Sequence, residues 1–233
     1  MAEEKITATE EKAAVKVKKE KKLQKEKKPT IKKDVVLPPI KLFGKWDSSV
    51  DVNDAGLKKY INLKPRILPR SAGIFRKRFH KSKMHIVERF ALHMLVPGHM
   101  GKKHRLTSGH MAGNVAKIMK NIESAFDVIE AKEKKSPVEV LVRAIENAAV
   151  REEVMSYQIG SITARDAVIS SPQRRIDKTL ENFARGIYRR TFKKNKTLSD
   201  VIAEELIAAS HNSADSFAIK EKERIEREAT GSR

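Results

Sequence analysis

The sequence predicts a mainly α-helical protein: a six-helix bundle with one inserted two-stranded β-ribbon, preceded by a disordered basic tail. In six segments after residue 84, apolar residues recur every three or four positions, the spacing of one helix face. Between residues 152 and 170 the spacing shortens towards two, as in a β-strand. Residues 1–36 are rich in Lys and Glu and nearly lack large apolar side chains, so they cannot offset the entropy of ordering.

The composition excludes several classes of site. The chain contains no cysteine, which rules out disulfides, thiolate metal sites, iron–sulfur clusters and cysteine nucleophiles. No apolar run approaches the roughly 20 residues that cross a bilayer, and the N-terminus lacks the apolar core of a signal peptide. We therefore expect a soluble, intracellular protein with no membrane partner.

Residues 37–83 are predicted to be an extended basic connector between the tail and a helical domain at residues 84–233. Four prolines interrupt it, and a short helix over residues 55–63 would begin at Asn53 or Asp54. Apolar side chains are available to pin the connector onto the helical body. They are Ile40, Leu42, Phe43 and Trp46.

The first three long helices are predicted at residues 84–95, 112–132 and 136–149. Pro97 and Gly98 end the first, and an exposed loop runs from Gly98 to Ala112. Phe126 belongs to the apolar stripe of the second. Ser136, followed by Pro137 at the first helical position and Glu139 at the third, predicts a capping box.

The ribbon and three further helices complete the predicted fold. Gly160 and Ser161 form a two-residue loop between the strands, and glycine at its first position suits a type II′ turn. Two isolated strands are marginal in water, so the ribbon should lean on helices or on RNA. The later helices are predicted at residues 171–192, 197–210 and 216–228, the last of them at the periphery.

Positive charge is concentrated between Lys64 and Arg105. The whole chain has a formal net charge of +20, and these 42 residues hold twelve Lys or Arg against one acid, Glu88. A run of charge is commonly only a solvated face. Here, however, the cations lack compensating acids and repel one another, which brings no benefit unless an anion binds. A nucleic acid is the favoured anion, because neutralising its phosphates releases condensed counterions.

No arrangement of residues predicts catalysis or a cofactor. Six of the seven histidines lie between His80 and His110, but they do not form a zinc motif. The stretch around Gly101 and Lys102 lacks the full phosphate-loop pattern, and Glu152 and Glu153 would point to opposite faces of a strand. We predict no enzyme activity, no metal and no cofactor.

The choice between RNA and DNA rests on architecture. The scarce aromatic residues, with only Phe75 and Phe79 interleaved with basic ones, favour reading of backbone and shape over stacking of bases. The chain has no recognisable DNA-binding module. A basic tail, a basic connector and a projecting ribbon suit a protein that threads into folded RNA, with a DNA-binding regulatory or chromatin protein as the alternative.

Several blocks of sequence resemble one family, that of the universal small-subunit ribosomal protein seven, in its archaeal and eukaryotic branch with the archaeal form nearer. The resemblance covers about residues 40–233 and follows the family's order. Its blocks are Lys41-Leu-Phe-Gly-Lys-Trp46, Ile86-Val-Glu-Arg89, Ser136-Pro-Val-Glu-Val-Leu-Val-Arg-Ala-Ile-Glu-Asn-Ala-Ala149, Arg151-Glu-Glu153, Ser171-Pro-Gln-Arg-Arg175 and Ala203-Glu-Glu205. Val150 and Ser161 depart from the family, which commonly has proline and glycine there.

The resemblance implies a structural constituent of the small ribosomal subunit. Such a protein binds the 3′ major domain of small-subunit rRNA, helps to nucleate assembly of the head, and has no DNA partner. Its ribbon reaches the exit-site tRNA and the mRNA exit path beside ribosomal protein eleven, which places Gln158, Ile159, Gly160 and Ser161 there. The implied rRNA-binding residues are Arg76, Lys77, Arg78, Lys81, Lys83, Lys102, Lys103, Arg105, Arg174 and Arg175.

Overall fold

The computed structural model describes residues 40–97, 113–192 and 194–233. The predicted tail and the predicted loop from Gly98 to Ala112 lie outside these ranges. Within them the chain forms six long α-helices, a short helix, a 3-10 helix and a two-stranded sheet, which confirms the predicted fold class. The elements are α1 Ala55–Lys58, the 3-10 helix His80–Lys83, α2 Ile86–Leu95, α3 Val115–Glu133, α4 Pro137–Ala148, β1 Glu152–Ile159, β2 Ile162–Ile169, α5 Pro172–Thr191, α6 Leu198–Ser210 and α7 Phe217–Thr230.

Side chains cap most of the helix starts. Asp54 accepts a hydrogen bond from Gly56 N–H at α1 (2.8 Å), as predicted, and Thr197 accepts one from Asp200 N–H at α6 (3.2 Å). The capping box predicted at Ser136 is wrong, because its hydroxyl makes no cap bond in the described structure. Pro137 instead starts α4 with a backbone angle already suited to a helix.

The core is centred on α6, which packs against α3, α4 and α5. Apolar residues occur around most of the circumference of α6, the pattern of a helix surrounded by others. Phe90, Phe126 and Phe183 are fully buried in the same core, confirming the predicted position of Phe126. Complete burial of such a side chain contributes about 1.5 to 3 kcal/mol each.

The first half of the predicted connector contributes to this core. Leu42 and Trp46 are buried, and the Trp46 ring meets Phe126 edge-to-face at 5.5 Å while its Nε1–H donates to Glu130 (2.8 Å). Phe43 packs beside them, as predicted. The prediction for Ile40 is wrong: with 52% of its surface exposed, it pins nothing.

The ribbon pairs in antiparallel register from Glu152 opposite Ile169 to Ile159 opposite Ile162. Gly160 has φ +61° and Ser161 does not have a positive φ, which is the sign pattern of the predicted type II′ turn. The ribbon leans on α7, which packs against β1, as the marginal stability of two isolated strands requires. None of the described helices is long and apolar enough to cross a bilayer.

The junction between α5 and α7 depends on a glycine. A Cβ atom on Gly186 would lie 2.7 Å from Cβ of Phe217, closer than two side chains can approach. The absence of a side chain at position 186 therefore lets α7 lie close to α5.

Candidate nucleic-acid-binding surface

Five exposed cations lie between residues 76 and 83, just before α2; we call Arg76, Lys77, Arg78, Lys81 and Lys83 the basic strip. Within the described residues, no carboxylate pairs with four of the five. The exception is Lys81, whose Nζ lies 3.4 Å from Asp177, and its side chain remains 65% exposed. Unpaired cations of this kind keep their full charge available to an external anion.

Hydrogen bonds anchor the chain shortly before the strip, at Ser71, and at its last residue, Lys83. Glu88, the single acid of the Lys64–Arg105 segment, is buried and accepts bonds from the backbone N–H and hydroxyl of Ser71, both at 2.6 Å. At the other end Asn62 bonds the carbonyl of Lys83 through its side chain and pairs with His85 in a short parallel bridge. The cations are therefore presented from an anchored backbone.

One arginine of the segment is not available to a partner. Arg89 is only 3% exposed and donates to Asp177 (2.9 Å) and to the carbonyl of Tyr60 (3.1 Å). Burial raises the pKa of Asp177, but hydrogen bonds from His93 and Arg89 outweigh it and hold the pKa well below its usual range. This buried ion pair joins α2 to α5.

Two other predicted contacts, Arg174 and Arg175, lie in the first turn of α5 and form internal ion pairs. Arg174 binds Glu153 through two nitrogens (2.5 and 2.8 Å), and these bonds lower the pKa of Glu153. Its side chain is still 61% exposed. Arg175 is 13% exposed and donates to Asp54 (2.8 Å), which ties α5 to the connector.

The start of α5 and the basic strip meet at one surface cavity. The cavity measures about 330 Å³. Its walls include Phe79, His93, Gln173, Arg174 and Asp177. The structure thus brings Arg174 close to the end of the strip, although the two are far apart in sequence.

The remaining predicted residues belong to the predicted loop after α2 and to the ribbon tip. Lys102, Lys103 and Arg105 lie outside the described residues. Gln158, Ile159, Gly160 and Ser161 are all exposed at the tip of the ribbon, and the stretch from residue 157 to 164 contains no charged side chain. Any partner of the tip is therefore contacted without ion pairs from that stretch.

The arrangement of exposed cations suits binding of a polyanion. Among the described residues no group of three or more His, Asp or Glu is placed to hold a metal ion. Sequence reasoning missed that Arg89, Arg174 and Arg175 are paired, because their partners are distant in the chain. No local spacing in the sequence signals these pairs, since Arg174 bonds a strand residue, Glu153, and Arg175 bonds a connector residue, Asp54.

Comparison with known proteins identifies the family. The family model for ribosomal protein S7p/S5e matches residues 57–233. The chain is 43% identical over 196 residues to the small ribosomal subunit protein uS7 of Nanoarchaeum equitans, covering 83% of this chain and 99% of that protein. It is 40% identical to the proteins of the same name from Methanothrix thermoacetophila, covering 83% and 100%, and Cenarchaeum symbiosum, covering 82% and 96%. These matches confirm the resemblance to an archaeal-type protein seven, and the chain belongs to the ribosomal protein S7p/S5e family, whose members are structural and not enzymatic components of the ribosome.

Proposed function

We propose that this protein is a structural constituent of the small ribosomal subunit that binds the 3′ major domain of the rRNA and helps to nucleate assembly of the head. The observation that carries the proposal is the basic strip, a set of exposed cations on an anchored backbone. Such a set contributes binding free energy by releasing counterions from phosphates. Its place of action is the ribosome in the cytoplasm.

The predicted rRNA contacts contribute unequally. We infer that the strip contributes most, because its cations are exposed and mostly unpaired. Arg174 adds a contact through the exposed part of its guanidinium, whereas buried Arg175 acts mainly by positioning α5 against the connector. Lys102, Lys103 and Arg105 belong to the same proposed surface on the strength of their sequence alone.

The ribbon tip is proposed to lie beside the exit-site tRNA, the mRNA exit path and ribosomal protein eleven. On one face of the ribbon, Met155, Tyr157, Ile159 and Ile162 expose between 37% and 72% of their surface. An uncharged, partly apolar tip supports contact with protein side chains or nucleobases rather than with phosphates. The tip and the strip therefore have different proposed partners.

The rRNA proposal is tested with transcripts of separate rRNA domains. The protein is titrated with the 3′ major domain, with the 5′ domain and with duplex DNA at several salt concentrations. We expect tightest binding to the 3′ major domain, with an affinity that falls steeply as salt rises. Equal affinity for the 5′ domain, or a preference for duplex DNA, would contradict the proposal.

The position of the tip is tested in assembled subunits. A photoreactive amino acid replaces Ile159, and crosslinking is carried out on ribosomes carrying mRNA and exit-site tRNA. We expect crosslinks to tRNA, mRNA or ribosomal protein eleven. A variant with the same group at Ile74, an exposed residue of the connector, is the control and should give rRNA crosslinks. If position 159 gave crosslinks to rRNA alone, the proposed position of the tip at the exit site would be contradicted.

A further inference from the structure

Phe79, within the basic strip, has an unusual backbone conformation. Its φ is +63°, in the left-handed region that bulky residues rarely adopt. The conformation is held in place, since the carbonyl of Phe79 accepts a hydrogen bond from the Ser82 hydroxyl (2.8 Å) at the start of the 3-10 helix. A costly conformation that the surroundings enforce is found most often at functional sites.

A second phenylalanine shows what ordinarily compensates such strain. Phe43 has φ +52°, and its ring packs edge-to-face on Trp46 (6.1 Å) and Phe126 (6.5 Å) at the border of the core. Phe79 lacks comparable burial, because 62% of its surface is exposed. Packing of the ring therefore offsets the cost of the left-handed backbone at Phe43, but it does not do so at Phe79.

The Phe79 ring lies beside an arginine and at the edge of a cavity. The guanidinium of Arg78 lies over the ring, 5.1 Å from its centroid, as in a cation–π contact. The ring also borders the 330 Å³ cavity at the start of α5, a size within the roughly 300 to 1,000 Å³ of ligand pockets. An aromatic ring beside arginine is the usual platform for an unpaired base.

Polar groups in the wall of the cavity can read the edge of such a base. The side chains of Gln173 and His93 both line the cavity. An amide presents both a donor and an acceptor, as the hydrogen-bonding edge of a base does. Arg174 is also in the wall, and the exposed part of its guanidinium, although paired with Glu153, can donate to an adjoining phosphate.

We propose that Phe79 is a stacking platform for one unpaired nucleobase of the rRNA, with Gln173 and His93 at the edge of that base. The inference rests on the proposed rRNA-binding function and deepens it. The low aromatic content predicts recognition of backbone and shape in general, and Phe79 adds one base-stacking contact to it.

The test uses two variants of Phe79 that separate the ring from the backbone. Phe79→Asn removes the ring but keeps a residue that tolerates the left-handed conformation, whereas Phe79→Trp keeps an aromatic face. We expect Phe79→Asn to bind the 3′ major domain transcript roughly 5- to 150-fold more weakly, the equivalent of one stacked base. Its salt slope should not change, because the substitution removes no charge.

Phe79→Trp should bind about as tightly as the wild type, and its added fluorescence should be quenched when the transcript binds. Ile67→Asn is the matched control, since it removes a similarly exposed apolar side chain of the connector, 64% against 62%, without removing a ring. It should bind like the wild type. The urea midpoint of Phe79→Asn should not fall, because the ring is exposed.

Three results would overturn the inference: unchanged affinity of Phe79→Asn, an equal loss in Phe79→Trp, or a lowered urea midpoint that accounts for the weaker binding. In each of these cases the wild type still binds the 3′ major domain with its salt slope, so the proposed function stands. If the wild type itself shows no such binding, the proposed function and the inference both fail.

Discussion

Two groups of basic residues in this protein lie near each other and differ in whether carboxylates pair with them. The basic strip before α2 is exposed and mostly free of carboxylate partners, whereas Arg174 and Arg175 at the start of α5 are paired with Glu153 and Asp54. Both groups resemble the rRNA contacts of the family. The difference supports the proposal that the strip acts on an external anion, whereas Arg174 and Arg175 mainly join elements of the fold.

The acids near the two groups differ in the same way: one does not pair with the cations beside it, whereas others do. Glu88 is buried and bonds Ser71, so the only acid between Lys64 and Arg105 anchors the strip without neutralising it. The acids around α5, by contrast, face arginines directly. Where a charge lies in the fold, more than how many charges a segment contains, decides what it can bind.

The largest expected effect concerns the buried pair between α2 and α5. Asp177→Ala leaves the guanidinium of Arg89, which is 3% exposed, without its carboxylate. We expect the free energy of unfolding to fall by about 3 to 5 kcal/mol, as for a buried ion pair that loses one partner. Urea unfolding measures it, and Asp127→Ala, which breaks an exposed pair with Lys45, is the control that should change little. A loss equal to that of the control would mean that the pair is not buried.

His85, where the strip joins α2, is expected to make stability depend on pH. Burial of its ring, assisted by the charge of Arg66, lowers its pKa from 6.5 to about 4. The unfolded chain therefore binds a proton at higher pH than the folded one, and stability falls as the pH drops from 6.5 towards 4, by about 3 kcal/mol. His85→Asn keeps a helix-capping side chain without this titration.

The difference between the unfolding profiles of the wild type and His85→Asn isolates the contribution of the histidine. Carboxylates with a lowered pKa, such as Asp177 and Glu153, lose their stabilising contribution as the pH falls from their usual range down through the lowered pKa of the folded state. They remain in both proteins and cancel in the comparison. Parallel profiles between pH 6.5 and 4 would show that His85 is not buried in its neutral form.

A smaller effect is expected for the pair between α5 and the connector. Arg175→Gln removes the bond to Asp54, whose side chain is 31% exposed, so we expect a loss of about 1 to 2 kcal/mol in the free energy of unfolding. Its affinity for the 3′ major domain should change less than that of any single variant of Arg76 or Arg78. A large loss of affinity with unchanged stability would make Arg175 an rRNA contact like those of the strip.

The elements of the fold were predictable because the spacing of apolar residues and the local turn-forming and helix-capping residues determine them. The six long helices begin within about three residues of their predicted starts, and Gly160 specifies the turn of the ribbon. The ion pairs were not predictable, since Arg175 and Asp54 are 121 positions apart. The need for glycine at 186 likewise arises from a tertiary contact, with Phe217, that no local pattern records.

The central claim is that the strip binds rRNA phosphates without contributing to the stability of the fold. It is tested most directly by changing Arg76, Lys77 and Arg78 together to Gln, then measuring both unfolding and binding to the 3′ major domain over a series of salt concentrations. We predict a stability within about 0.5 kcal/mol of the wild type. The slope of log affinity against log salt should become shallower by about 0.7 to 0.9 for each phosphate that the variant no longer neutralises. An unchanged slope would contradict the claim, because it would show that these side chains do not touch phosphate.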